Sequence, residues 1–183
     1  MRTKIAVGFM VLVVVPVLAG CDKTSKASNP GPVTPATLEV AGPNPSVSAK
    51  MICGEAKEGI AAVVGVDTAR PIVSRWANHL YSCDYVYAGG RKMTLSVKEM
   101  SSVAETTAYF DALAKKLHRA PELVGLGEGG FNTRDGSVVV RKDYRVLLVD
   151  VSHLPARFGT PPLTRSAFAT SVATTIMGCW IGA

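Results

Sequence analysis

Residues 131–151 read FNTRDGSVVVRKDYRVLLVDV, and the reading of this stretch decides the fold. Asp135-Gly136 favours a type I′ turn, so residues 131–134 and 137–141 are expected to pair as a hairpin. Residues 144–151 follow as a strongly apolar run, expected to be a central strand of a sheet.

Working outward, residues 80–87 are rich in aromatic and β-branched side chains, and Ala88-Gly89-Gly90 is a turn. Residues 92–98 alternate through Met93, Leu95 and Val97, which completes a first hairpin. Between the hairpins, Ser102-Val103-Ala104-Glu105 is a capping box. It opens a helix with Phe110, Leu113 and Leu117 inward, ending before Pro121. Ahead of the first hairpin, Ile52, Ala56, Ile60 and Val63 recur at helical spacing over residues 49–64, and Gly65 is a natural stop. After the apolar strand, Pro161-Pro162 interrupts the chain. Thr164 then caps a last helix, whose face is Phe168, Val172, Ile176 and Cys179. The expected fold is α+β, a mostly antiparallel sheet of about five strands with three helices covering one side. Residues 49–183 form its single domain.

The N-terminus reads differently. Arg2 and Lys4 precede a run of apolar and small residues from 5 to 17, shorter than the roughly 20 needed to span a bilayer. It has the length of a secretory signal core. Leu18-Ala19-Gly20-Cys21 follows, and it resembles the lipobox of bacterial lipoproteins at every position. Small residues before the cysteine let the backbone enter a peptidase, and the thiol is the nucleophile that takes a diacylglyceryl group. Residues 1–20 are therefore expected to be removed and Cys21 to carry lipid. Two or three acyl chains burying about 0.8 kcal/mol per methylene make a stable anchor. Residues 22–48 hold five of the eleven prolines and no aromatic residue. Such a segment cannot bury enough surface to order itself, and it is expected to be a tether spanning roughly 30 Å as a coil.

Removing residues 1–20 from the 183 leaves 163, enough for one domain with a real core. Arg2 and Lys4 leave with them, so 18 basic face 14 acidic residues, a net +4. That excess suits proximity to anionic lipid or envelope polymer. It is too scattered along the chain to argue for nucleic acid, since no Lys/Arg block exceeds two residues.

With Cys21 lipidated, Cys53, Cys83 and Cys179 remain, an odd number in an oxidising compartment. Cys53–Cys83 is one pairing; Cys53–Cys179 is the other, if the first and last helices pack together. The leftover cysteine is expected to be a buried small hydrophobe.

Several patterns invite a functional reading and fail it. Gly125, Gly127 and Gly130 match the dinucleotide spacing GxGxxG, but a strand and turn are expected after them where a helix N-terminus is needed. Gly125, Gly127, Gly129 and Gly130 remain a possible ligand loop, because glycine-rich backbone exposes N–H groups. His79, His118 and His153 show no metal spacing, so no metal site and no cofactor are expected. His153 with Asp150, or His79 with Asp84, lacks the Gly-x-Ser-x-Gly elbow that presents a serine, and no catalytic residue is assigned. Tyr81, Cys83, Tyr85 and Tyr87 share one strand face, near Trp76. They are expected to be core packing, with an aromatic ligand or glycan platform as the sharper alternative.

Cys53 in the first helix, Cys83 on the first hairpin, Gly125-Leu126-Gly127, the strands within 137–151 and the helix within 164–180 together resemble an actinobacterial, mycobacterial-type family of cell-envelope lipoproteins of unknown function. The resemblance covers residues 50–180 and departs at Tyr85, where a tryptophan is expected. It implies the Cys53–Cys83 disulfide and an envelope-exposed binding or interaction domain, and it brings no catalytic residues. The expected function is a non-enzymatic binding module. It would be lipid-anchored on the extracytoplasmic face of the cell membrane, with an envelope protein or small apolar ligand as partner. A small-molecule or lipid carrier, with a cavity between helices and sheet, is the alternative. An envelope hydrolase is the lesser one.

Overall fold

The computed structural model describes residues 40–123 and 125–180. The signal segment, Cys21 and residues 22–39 of the expected tether lie outside the described residues. The fold is α+β. Among the described residues, seven strands form one antiparallel sheet in the order β1-β2-β3-β7-β6-β5-β4. These are β1 (Val73–Ala77), β2 (Leu80–Val86), β3 (Lys92–Glu99), β4 (Arg119–Leu123), β5 (Gly129–Thr133), β6 (Val138–Lys142) and β7 (Arg145–Asp150). The helices are α1 (Val47–Met51), α2 (Ala56–Val64), α3 (Val103–Lys116) and α4 (Arg165–Cys179). A short separate ladder, β8 (Arg157–Phe158) and β9 (Leu163–Thr164), precedes α4.

β7 is the middle strand of the seven, as its apolar run predicts. The helices, however, lie on both faces of the sheet, which corrects the one-sided expectation. Val138, Val140, Leu147 and Val149 point into a large core beneath α1, α2 and α4. Val139 and Val146 point the other way and pack with Phe110, Leu113 and Phe131 under α3. Successive strand residues alternate faces, so an unbroken Val-Val-Val demands apolar cover on both sides.

Two strands exceed the expected five. β1 is an exposed edge strand joined to β2 through Asn78 and His79, at φ 51° and 56°. Positive φ at both central residues is the type I′ geometry, made here without a glycine. β4 carries Pro121 and a register shift between Arg119 and Glu122, both tolerated on an edge strand. The Asp135-Gly136 turn is not type I′. Only Gly136 has positive φ, 93°, and the Gly136 N–H donates to Thr133 O at 3.0 Å. This is a three-residue loop closed by a left-handed glycine.

The expected first helix is broken. Ser46 caps α1 by accepting from the Ala49 N–H at 3.1 Å, so residues 46–48 of the stretch assigned to the tether belong to the fold. Residues 52–55 then turn before α2 begins. After the break Ile60 and Val64 face inward, while Val63 is 45 % exposed rather than inward. Gly65 ends α2 in the left-handed conformation, as expected. The capping box of α3 forms, with the Ser102 hydroxyl accepting from the Glu105 N–H at 3.2 Å. The Glu105 carboxylate reaches back one residue further than expected, to the Ser101 N–H at 2.9 Å. Thr164 caps α4, and Phe168, Val172, Ile176 and Cys179 are all buried.

Candidate functional site

The turn between α1 and α2 brings Cys53 against Cys83 of β2, and the two form a disulfide with Cα atoms 5.9 Å apart. The alternative Cys53–Cys179 pairing is thereby excluded, although α2 and α4 do pack together. Cys179 is buried, but it is disulfide-bonded, with its partner outside the described residues. That corrects the expectation of a leftover reduced cysteine.

Beside the disulfide, Tyr85 and Tyr87 are 1 % and 2 % exposed. The Tyr85 hydroxyl donates to Ile52 O at 2.6 Å, which ties β2 to the same turn. Burial pushes both phenols well above their ordinary range, and for Tyr85 the neighbouring Tyr87 adds to it. Tyr87 packs on Phe158 at 4.9 Å between ring centres, and Phe158 on Phe168 at 5.5 Å. These tyrosines are core, so they form no aromatic platform for a ligand or glycan. The Tyr87 hydroxyl has no hydrogen-bond partner among the described residues. Tyr87 also lines a small cleft with Lys57, Ile60, Val66, Asp67 and Thr68, which offers about 10 Å³ to a water-sized molecule.

The glycine segment joins β4 to β5 and contains no helix start. Gly129 and Gly130 are already in β5, and the Glu128 N–H donates to Arg141 O at 2.8 Å, continuing the ladder towards β6. Gly127 has φ 62°, and a Cβ there would sit 2.5 Å from Arg141 O. Gly127, and Gly130 with a Cβ position 3.2 Å from Val139 O, serve close backbone approach, and the dinucleotide reading fails on geometry. Gly127→Ala is expected to cost about 2 kcal/mol or more, from a left-handed alanine plus the clash. Urea unfolding checks this; a loss under about 0.5 kcal/mol would contradict it.

The hydrolase pairings do not assemble. The hydroxyl of buried Ser137 donates to Asp150 at 3.5 Å and itself accepts from the Val151 N–H at 3.1 Å. His153 is exposed beyond that strand end. His79 sits at the tip of the β1–β2 turn, edge-on to Trp76 with ring centres 5.8 Å apart. Asp84, near the other end of β2, accepts from the Thr94 hydroxyl at 2.8 Å and lies between Arg75 at 3.4 Å and Lys92 at 3.7 Å. Partial burial raises its carboxyl, but Thr94, Lys92 and Arg75 together outweigh that and hold it below the ordinary range. Among the described residues no three His, Cys, Asp or Glu side chains gather as a metal site. Nor is any helix among them long and apolar enough to cross a membrane.

No protein family, curated protein or solved structure matches this chain. Function is therefore argued from its own residues and geometry.

Proposed function

We propose that the chain is a membrane-anchored extracytoplasmic lipoprotein whose folded end is a non-enzymatic binding module of the cell envelope. One observation carries the reading: Leu18-Ala19-Gly20-Cys21 directly after a short apolar segment with a basic start. The Cys53–Cys83 disulfide supports it, because such bonds persist in oxidising compartments. The likeness to actinobacterial envelope lipoproteins belongs to the same proposal. The non-enzymatic part is supported by Ser137, whose hydroxyl is buried and engaged with Asp150 instead of a histidine. Against the carrier alternative stands the Tyr87 cleft, which offers only about 10 Å³ to a water-sized molecule, far below the 300–1,000 Å³ typical of ligand pockets.

Labelled palmitate is expected to enter the wild-type chain and not Cys21→Ala, which should also keep residues 1–20. A Cys21→Ala chain that still takes up label would refute the anchor.

A further inference from the structure

The cations that look scattered along the chain gather at one corner of the fold. Lys115 and Lys116 occupy the last turn of α3, and His118 and Arg119 follow at the start of β4. Arg119 lies opposite Thr133 in the β4–β5 ladder, so Arg134 projects from the same end of the sheet. Arg165, at the start of α4, reaches the same turn, donating to Asp135 O at 3.2 Å. Lys115, Lys116, His118 and Arg134 are exposed, and none makes an ion pair among the described residues. The one carboxylate in the turn, Asp135, is folded back on its own loop, accepting from the Thr133 hydroxyl and from the Ser137 N–H at 3.0 Å.

The position of this corner is as informative as its charge. The N-terminal segment joins the domain at the other end of the sheet. There the Ala41 N–H donates to Met100 O at 3.0 Å and Trp76 Nε1 donates to Pro43 O at 2.9 Å. α3 starts beside Met100 and runs 14 residues, about 20 Å, to the basic corner. Under the lipoprotein reading, on which this placement rests, the tether enters the domain at the end of the sheet opposite the corner, so it does not cover the corner's cations. Its chemistry also separates partners. The exposed large apolar side chains (Val40, Val47, Val63, Val73, Val103) lie away from the corner, Val103 at the far start of α3. Protein interfaces centre on apolar and aromatic anchors and are depleted in lysine.

We propose that this corner docks a flexible anionic polymer of the cell envelope, a chain of repeated phosphate or carboxylate groups held by charge. Such binding is driven by counterion release and falls steeply with salt. The processed full-length chain in uncharged detergent is titrated with fluorescent polyphosphate across a salt series. Lys115→Gln/Lys116→Gln/Arg134→Gln is expected to weaken binding at low salt by roughly tenfold or more. It should also flatten the log–log salt slope by about two to three. Lys50→Gln/Lys57→Gln/Lys98→Gln removes the same charge elsewhere and is expected to change affinity less than about twofold. Equal losses in the two triples would reduce the effect to net charge and overturn the proposal, as would absence of binding at low salt. Vesicles containing about one-third phosphatidylglycerol form the second arm. Tighter binding to them than to polyphosphate, lost in the corner triple, would make a membrane the partner and also overturn it. Palmitate labelling at Cys21 is indifferent to these results, so the corner and the anchor fail separately.

Discussion

Arg145→Met is expected to destabilise the domain by about 3–5 kcal/mol, the loss that follows when one partner of a buried ion pair is removed. Arg145 and Glu99 face each other across β3 and β7, with Nε 3.5 Å from Oε1. Their side chains are 8 % and 4 % exposed. The other Glu99 oxygen accepts from the Ser46 N–H at 3.4 Å, at the N-cap of α1. Taking one partner away leaves a carboxylate buried with only that weak backbone contact, and desolvation then dominates. With total stabilities of about 5–15 kcal/mol for domains generally, such a loss brings unfolding within reach of ordinary temperature. Removing both charges, as Glu99→Leu/Arg145→Met, leaves neither charge buried without the other and is expected to recover at least half of the deficit. Urea unfolding of the two variants decides the matter. A single variant within about 1 kcal/mol of wild type, or a double no better than the single, would show that the pair is not the cause.

The same pair shows where the sequence is legible and where it is not. Glu99 and Arg145 look like ordinary polar ends of two strands; only the register that sets them opposite one another, under α1, buries them. The strong local signals translate directly into structure. The alternation Met93, Leu95, Val97, the Ser102 cap, the Gly65 stop and the inward face of α4 are all present. Each depends on contacts within a turn or two of chain. What depends on distant partners does not translate. β1 has no apolar alternation because it is an edge, and its turn uses Asn78-His79 where Asn-Gly is the readable signal. β4 exists despite Pro121 because an edge strand can spare one N–H. The two-sided cover of the sheet is implied by Val138-Val139-Val140, yet which helix covers which face is a matter of topology. The candidate surfaces divide the same way. The lipobox is a linear motif and is read from four residues. The basic corner joins the visible window Lys115-Lys116-Leu117-His118-Arg119 to Arg134 and Arg165, which only the topology brings beside it.

The disulfide gives the second large effect and links stability to compartment. Cys53→Ala/Cys83→Ala is expected to cost about 3–4 kcal/mol by the loop-entropy argument, for a sequence separation of 30. The local structure says why the loss would be felt beyond the bond itself. Residues 52–54 are held along the chain by i→i−3 bonds alone, from the Ile52, Cys53 and Gly54 N–H groups to Ala49, Lys50 and Met51 O at 3.2–3.4 Å. The turn is held to β2 by the disulfide and by the Tyr85 hydroxyl on Ile52 O. Tyr85→Phe removes only the second tie and is expected to cost about 1–2 kcal/mol, because it leaves the Ile52 carbonyl buried without its donor. Combining Tyr85→Phe with Cys53→Ala/Cys83→Ala should exceed the sum of the separate losses, since either tie alone still positions the turn and the pair closes one loop. Urea midpoints of wild type and Tyr85→Phe, each with and without Cys53→Ala/Cys83→Ala, measure that coupling. If Cys53→Ala/Cys83→Ala leaves the midpoint within about 0.3 M urea of wild type, the bond is dispensable to the fold. The support it lends to an extracytoplasmic location would then go with it, because a domain equally stable without the disulfide has no need of an oxidising compartment.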